Sequence, residues 1–162
     1  MESLPQVSII ILNYNGIKFV ERCLKSVLNT DYPLFEVIFV DNGSTDGSPE
    51  LVQKLFGEDK RLRIILNKEN LGFTGGNNVG IKMSKGEYIV LLNNDTEVPS
   101  DWLRQLVLVM EKRRDIGMAQ PAILYMDMDH TIQTLGNYID DILMLVKSIG
   151  MRRKFPKNKI II

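Results

Sequence analysis

With 162 residues, 44% of them hydrophobic and 25% charged, the chain has the size and make-up of one globular domain with a core of its own. Twenty basic and twenty acidic side chains cancel, which excludes an overall field that would draw the chain to nucleic acid or acidic lipid. The single cysteine, Cys23, excludes an internal disulfide. Set among apolar neighbours, it reads as a buried, inert thiol in a reducing, cytoplasmic setting.

Met1 to Gln6 carries neither a basic leader nor a long apolar run, so no secretory signal is expected. Val7 to Leu12 is a continuous, largely β-branched run. It is too short to span a bilayer and is expected as a strand covered on both faces. Gly16 breaks it; Ile17, Val20, Leu24, Val27 and Leu28 then recur at helical spacing, with Glu21, Arg22 and Lys25 opposite. Asp31-Tyr32-Pro33 turns the chain into a second strand, Phe35 to Val40. A polar loop, Asp41 to Gly47, leads to Ser48-Pro49, which opens a helix with proline in its first turn.

Leu62 to Leu66 is the third expected strand. The glycine- and asparagine-rich stretch Asn67 to Gly80 reads as a loop running into a short helix near Val79 to Ser84, stopped by Gly86. Tyr88 to Leu92 makes a fourth strand that ends on Asn93-Asn94-Asp95. Ser100 is placed to cap a helix that turns Leu103, Leu106, Val107 and Met110 inward. Beyond Arg114 the pattern weakens, and Gly117 to Tyr125 is expected as a strand. Lys159-Ile160-Ile161-Ile162 reads as the start of another, so the expected domain is truncated at its C-terminus.

Alternating strands and helices predict an α/β domain with a mostly parallel sheet. In such sheets ligands bind beyond the carboxyl ends of the strands. Here the strands end in Asn13-Tyr14-Asn15-Gly16, in Asp41-Asn42-Gly43-Ser44, in Asn67 to Asn78 and in Asn93-Asn94-Asp95. Any one cluster alone is an ordinary turn; four on one edge of a parallel sheet point to a site. Asp41, directly after Val40, can serve a base N–H or a ribose hydroxyl, or can equally cap the loop that follows. Asp95 beside two amides suits a hard cation that also grips a diphosphate, or else a plain turn before Pro99. The glycines from Gly72 to Gly80 would allow close backbone approach to a ligand. They fit neither the dinucleotide nor the P-loop fingerprint.

The set VSIIILNYNG, VDNGSTDGS, ENLGFTGGNNVG and LLNNDTEVP, in this order, resembles family 2 glycosyltransferases, most of all their rhamnosyltransferase-like branch. Ala119 to Tyr125 and Ile132 to Gly136 extend the likeness, which covers roughly residues 6 to 140. The resemblance implies a three-layer α/β/α GT-A fold, with 1–140 as the nucleotide-sugar-binding domain and 141–162 as an incomplete segment opening an acceptor-side region. It implies a donor that is a nucleoside diphosphate sugar, an acceptor that is a saccharide or is lipid-linked, and Mg²⁺ or Mn²⁺ as cofactor. Tyr14, Asp41 and Asn42, with Ser44 beside them, would line the base and ribose pocket. Asn70, Gly72 and Asn77 would lie along the cleft; Asn93, Asn94 and Asp95 would stand at the D-x-D-type motif, with Asp95 the metal ligand. The family is inverting and uses a carboxylate base in a later acidic motif. No such motif precedes Ile162, and Asp127, Asp129, Asp140 and Asp141 sit in no matching context, so no catalytic base is assigned.

Of the remaining residues, His130 reads as part of a solvated turn and Trp102 as packing. Arg113-Arg114 reads as solvated charge. Arg152-Arg153-Lys154, following Ile142 to Val146, makes a basic, apolar stretch for which peripheral contact with the cytoplasmic membrane face is the alternative expectation. Two rival functions stand beside the transferase. One is a non-catalytic nucleotide-sugar-binding module lacking the base. The other is a nucleotidyltransferase, which would want a basic, glycine-rich loop where Asn13-Tyr14-Asn15-Gly16 stands.

Overall fold

The computed structural model describes residues 4–113, 115–126, 128, 131–140 and 145–154. The sequence readings of Arg114, Asp127, Asp129, His130, Asp141, Ile142 to Met144 and Lys159 to Ile162 lie outside these residues. The described chain forms two compact units, 1–103 and 104–162.

In the first unit, β1 (Val7–Asn13), α1 (Val20–Leu28), β2 (Phe35–Asp41), α2 (Ser48–Phe56), β3 (Leu62–Leu66), α3 (Gly72–Met83) and β4 (Tyr88–Asn93) follow one another. The four strands form one parallel sheet in the order β3-β2-β1-β4. The connections through α1 and α2 both step away from β1 on one side, whereas the connection through α3 crosses back to the other side. Because such crossovers are right-handed, α1 and α2 lie on one face and α3 on the other. Three layers result, and the order of connection reverses between β1 and β4.

The layers follow from the side-chain alternation of the strands. Ile10, Ile38 and Val40 are fully buried on one face, with Leu12, Ile65 and the α3 residues Val79 and Ile81 packed on them. Ile9, Ile11, Val37 and Phe39 are equally buried on the other, and Val20, Cys23, Leu24 and Val27 form the buried stripe of α1. Each such side chain contributes about 1.5–3 kcal/mol through burial. β4 differs, because Ile89 and Leu91 stay 43% and 50% exposed.

Four expectations are corrected. Helix α3 spans Gly72–Met83, not a short stretch near Val79. Gly76 and Gly80 face Leu12 and Ile10 so closely that a Cβ on either would overlap those side chains. The glycines are therefore there to seat a helix against β1, not to form a loop. Helix α1 begins at Val20, and the exposed Ile17 precedes it, its N–H donated to Asp46 Oδ2 (2.8 Å). Ser100 stands two residues before α4 (Trp102–Lys112) and does not cap it; its carbonyl accepts the Asp31 N–H (2.7 Å). In α4, Leu103 and Val107 are buried as expected, and Trp102 is buried with Nε1–H donated to Thr30 Oγ1 (2.9 Å), a packing role.

The fourth correction falls in the second unit. Of the strand expected over Gly117 to Tyr125, only β5 (Ile123–Leu124) forms, antiparallel to β6 (Ile132–Thr134). Pro121 carries no N–H for a ladder, and the residues before it are largely exposed. β7 (Asn137–Asp140) and β8 (Leu145–Ser148) make an antiparallel pair. Arg113 pairs with Asp115 (2.8 Å) at the surface. Among the described residues no helix is long and apolar enough to cross a membrane.

Candidate functional site

The parallel register brings the strand ends to one level: Asn13 lies beside Asp41, Asp41 beside Leu66, and Leu12 beside Asn93. The polar clusters therefore share the carboxyl edge of the sheet, where β1 and β4 flank the reversal of connectivity. Open α/β sheets bind ligands at such a point.

Asp41 is only 2% exposed. Its Oδ1 accepts from Asn13 Nδ2 (2.9 Å) and Ser44 Oγ (2.6 Å), and its Oδ2 accepts from the Ser44 N–H (2.9 Å). Of the two readings left open by the sequence, the loop anchor is the one this geometry displays. Asn42, equally buried, holds the next segment. Its Nδ2 donates to Asn70 Oδ1 (2.7 Å) and the Gly72 carbonyl (3.2 Å), and its Oδ1 accepts from Asn67 Nδ2 and the Leu71 N–H (both 3.1 Å). Asn70 also receives the Gly72 N–H (2.8 Å), so it fixes the start of α3. Asn77 lies inside α3, 5% exposed, and donates to the Phe73 carbonyl (2.9 Å).

The loops after β1 and β2 are stapled together. Asn15, held at φ 50°, gives its N–H to Ser44 Oγ (2.9 Å) and accepts the Thr45 N–H at its Oδ1 (2.9 Å). Asp46 accepts from Ile17 N–H (2.8 Å), Ser48 N–H (3.0 Å) and Ser48 Oγ (2.6 Å). Burial works upward on the Asp46 carboxyl, but the Ser48 hydroxyl and the two amides outweigh it and hold it below the usual carboxylate range. Tyr14 stands half exposed on this staple, and Phe73 and Leu71 are exposed at the start of α3.

At the end of β4, Asn93 and Asp95 are exposed and Asn94 is half-buried. Asn94 Nδ2 donates to Asn13 Oδ1 (2.7 Å), and the Asn93 carbonyl accepts from the buried Cys23 thiol (3.6 Å). Burial pushes that thiol up to about 12; the Thr96 backbone works against the shift, and the Asp95 and Glu97 charges add to it. Cys23 is thus inert, as its surroundings in the sequence suggested. Asp95 and the adjacent amides are hard oxygen donors of the kind Mg²⁺ and Mn²⁺ prefer. Among the described residues no cluster of three His, Cys, Asp or Glu side chains forms. The residues therefore fit a cation only if the diphosphate and water supply most of its ligands.

Sequence reasoning passed over Asn13, Ser48 and Asp46, the side chains that join the clusters. Asn13, fully buried, contacts Asp41, Ser44 and Ser48 with its amide nitrogen and Asn94 with its carbonyl. A polar residue ending an apolar strand was visible; its place opposite Asp41 depends on strand register. A surface groove of about 690 Å³, lined by Arg22, Lys25, Phe56, Glu97 and Val98 among others, shares none of the expected residues.

The comparisons with known proteins agree with this geometry. An uncharacterized glycosyltransferase of Haemophilus influenzae is 33% identical over 116 residues, 72% of this chain and 36% of its own length. The mannosyltransferase PcManGT from Pyrobaculum calidifontis, solved in complex with GDP-Man and Mn²⁺, superposes with a TM-score of 0.64. It is 27% identical, with 75% of this chain and 34% of that one covered. TarS of S. aureus, residues 1–349 in complex with UDP-GlcNAc, superposes at 0.62 with 24% identity, covering 75% and 38%. The fold is thus the three-layer α/β GT-A fold of these enzymes. The chain spans less than half the length of the curated relatives it matches. Residues 8–162 match the glycosyl transferase family 2 model, and the chain belongs to that family.

Proposed function

We propose that the chain is the donor-binding part of an inverting, metal-dependent glycosyltransferase of the rhamnosyltransferase-like branch. In this reading 1–140 bind the nucleotide sugar and 141–162 open an acceptor-side region. The observation that carries it is the convergence of Asp41, Asn42 and Asn94 at the reversal point of the sheet, joined through Asn13. The GDP-Man and UDP-GlcNAc complexes of the similar structures support a nucleoside diphosphate sugar as donor.

Asp41 and Asn42 frame the pocket from beneath, and Tyr14 and Ser44, carried on that frame, take the base and ribose. Asn70, Gly72 and Asn77 form the wall that α3 presents. Asn93, Asn94 and Asp95 receive the diphosphate, with Asp95 the ligand for Mg²⁺ or Mn²⁺. When bound, that cation offsets the negative charge that develops on the departing diphosphate. An acceptor hydroxyl, saccharide or lipid-linked, attacks the anomeric carbon while a carboxylate base takes its proton. A cytoplasmic location, with peripheral membrane contact through the basic stretch Arg152 to Lys154, completes the proposal.

Calorimetric titration with UDP, GDP, dTDP and their sugar conjugates tests it, first with Mn²⁺ and then with chelator. The expected result is binding of one nucleoside diphosphate that weakens sharply with chelator and in Asp95→Ala. Absence of binding across the panel, from chain shown to be folded, would refute the donor site.

A further inference from the structure

Asn13 sits where β1 ends, and four polar contacts converge on its one side chain. Its Nδ2 donates to Ser48 Oγ (2.8 Å) and Asp41 Oδ1 (2.9 Å), with Ser44 Oγ at 3.2 Å, and its Oδ1 accepts from Asn94 Nδ2 (2.7 Å). An amide nitrogen has only two hydrogens, so the two shorter contacts take them. A carboxylate accepts and does not donate, so Asp41 dictates which way the Asn13 amide points. The carbonyl must then face Asn94, and Asn94 must present its nitrogen. One carboxylate at the end of β2 therefore orients an amide after β4, across the point where the connections reverse.

Gly16 supplies an independent observation. A Cβ at this position would overlap both Asn94 Nδ2 and Asn13 Oδ1. Gly16 is not among the glycines of positive φ, so its backbone would accept alanine. What demands glycine here is the space taken by the Asn13–Asn94 hydrogen bond.

We infer that Asn13 is the positioning residue that couples the base-and-ribose side of the site to the turn that presents Asp95. The inference rests on the donor-site reading above. Asp41 holds Ser44, Asn13 reads the position of Asp41, and Asn94 carries that position into the Asn93-Asn94-Asp95 turn. The coupling adds no contact to the ligand; it sets the spacing between the nucleoside pocket and the cation ligand. Breaking it leaves each half intact and misplaces one against the other.

Two variants break the Asn13–Asn94 bond without touching Asn13. Gly16→Ala intrudes on the bond, and Asn94→Asp replaces its donor with an acceptor while keeping oxygens for a cation. Binding of nucleoside monophosphate in chelator and of nucleoside diphosphate with Mn²⁺ is measured for each variant, for the double variant and for the wild type. Folding of each is checked by circular dichroism. For Gly16→Ala the expected result is monophosphate affinity within about twofold of wild type, and a Mn²⁺-dependent gain for the diphosphate reduced about tenfold, the scale of one hydrogen bond; Asn94→Asp, itself placed against the diphosphate, should lose the gain at least as far. The double variant should lose no more than the worse single one, since both act on the same bond. Should Gly16→Ala prevent folding, Asn13→Ser, whose shorter side chain cannot reach Asn94, takes its place, and a full Mn²⁺ gain in it overturns the inference. So does a full Mn²⁺ gain in Gly16→Ala, or a parallel loss of monophosphate affinity, which marks general loosening. If the wild type itself binds no nucleotide, the donor reading falls and the coupling with it. If it binds and the variants keep the gain, the coupling alone falls.

Discussion

Asn42→Ala should loosen the first unit by an amount that its hydrogen bonds set. The side chain is 2% exposed and makes four contacts, to Asn70, Gly72, Asn67 and Leu71. At about 0.5–1.5 kcal/mol net for each bond, full loss would cost about 2–6 kcal/mol. Asn70, Leu71 and Gly72 are exposed, however, and water can replace Asn42 for them, which brings the expectation to about 2–3 kcal/mol. Trp102, the only tryptophan, is buried within the same unit, so its fluorescence through a urea titration reports that unit's unfolding. In a thermal melt the same loss corresponds to a midpoint lower by roughly 5–10 °C. Asn42→Asp keeps the acceptor for Asn67 and Leu71 but sets a buried carboxylate oxygen against Asn70 Oδ1 and the Gly72 carbonyl, so it should recover none of the stability. A change below about 0.5 kcal/mol in Asn42→Ala would refute the claim that these bonds hold the start of α3.

Three further outcomes follow from packing and burial. Gly80→Val drives a side chain into Ile10 and should cost about 1–3 kcal/mol, whereas Gly117→Val, with nothing within 4 Å, should stay within about 0.5 kcal/mol; urea titrations that rank the two alike would count against the close seat of α3. The thiol of Cys23 should resist alkylation at pH 8 until the chain is unfolded, and stoichiometric labelling of the native protein within minutes would contradict its burial. Raised from 9.0 to about 12, this thiol gives stability that is complete below pH 9 and falls as pH climbs toward 12, because the unfolded state loses the proton first.

The strands were legible because a sheet covered on both faces demands unbroken apolar runs, and Val7 to Leu12 and Phe35 to Val40 supply them. The site's edge was legible for the same reason, since polar clusters directly after such runs must emerge together. Helix α3 was not, because its glycines lower intrinsic helicity and look like a loop until Ile10 and Leu12 are placed beneath them. Nor was Asn13, whose role depends on lying opposite Asp41, and pairing register is not written in either strand alone. For Asp41 the sequence allowed a ligand contact and a loop anchor equally, and its three accepted bonds, which depend on Asn13 and Ser44 being brought to it, could not be read from the chain.

The seating of α3 also bears on when its order exists. Gly72, Gly75, Gly76 and Gly80 occupy this helix of 12 residues; Gly72 opens it at φ 72°, and each of the other three costs about 0.5–1 kcal/mol relative to alanine. A segment so handicapped does not hold a helix in isolation; it holds one because Val79 and Ile81 dock on Ile10, Ile38 and Val40. Its amide protons should therefore exchange through undocking from the sheet, at a free energy below that of the central strands. The same small residues that bring one wall close to β1 thus leave that wall with no structure of its own once the sheet beneath it lets go.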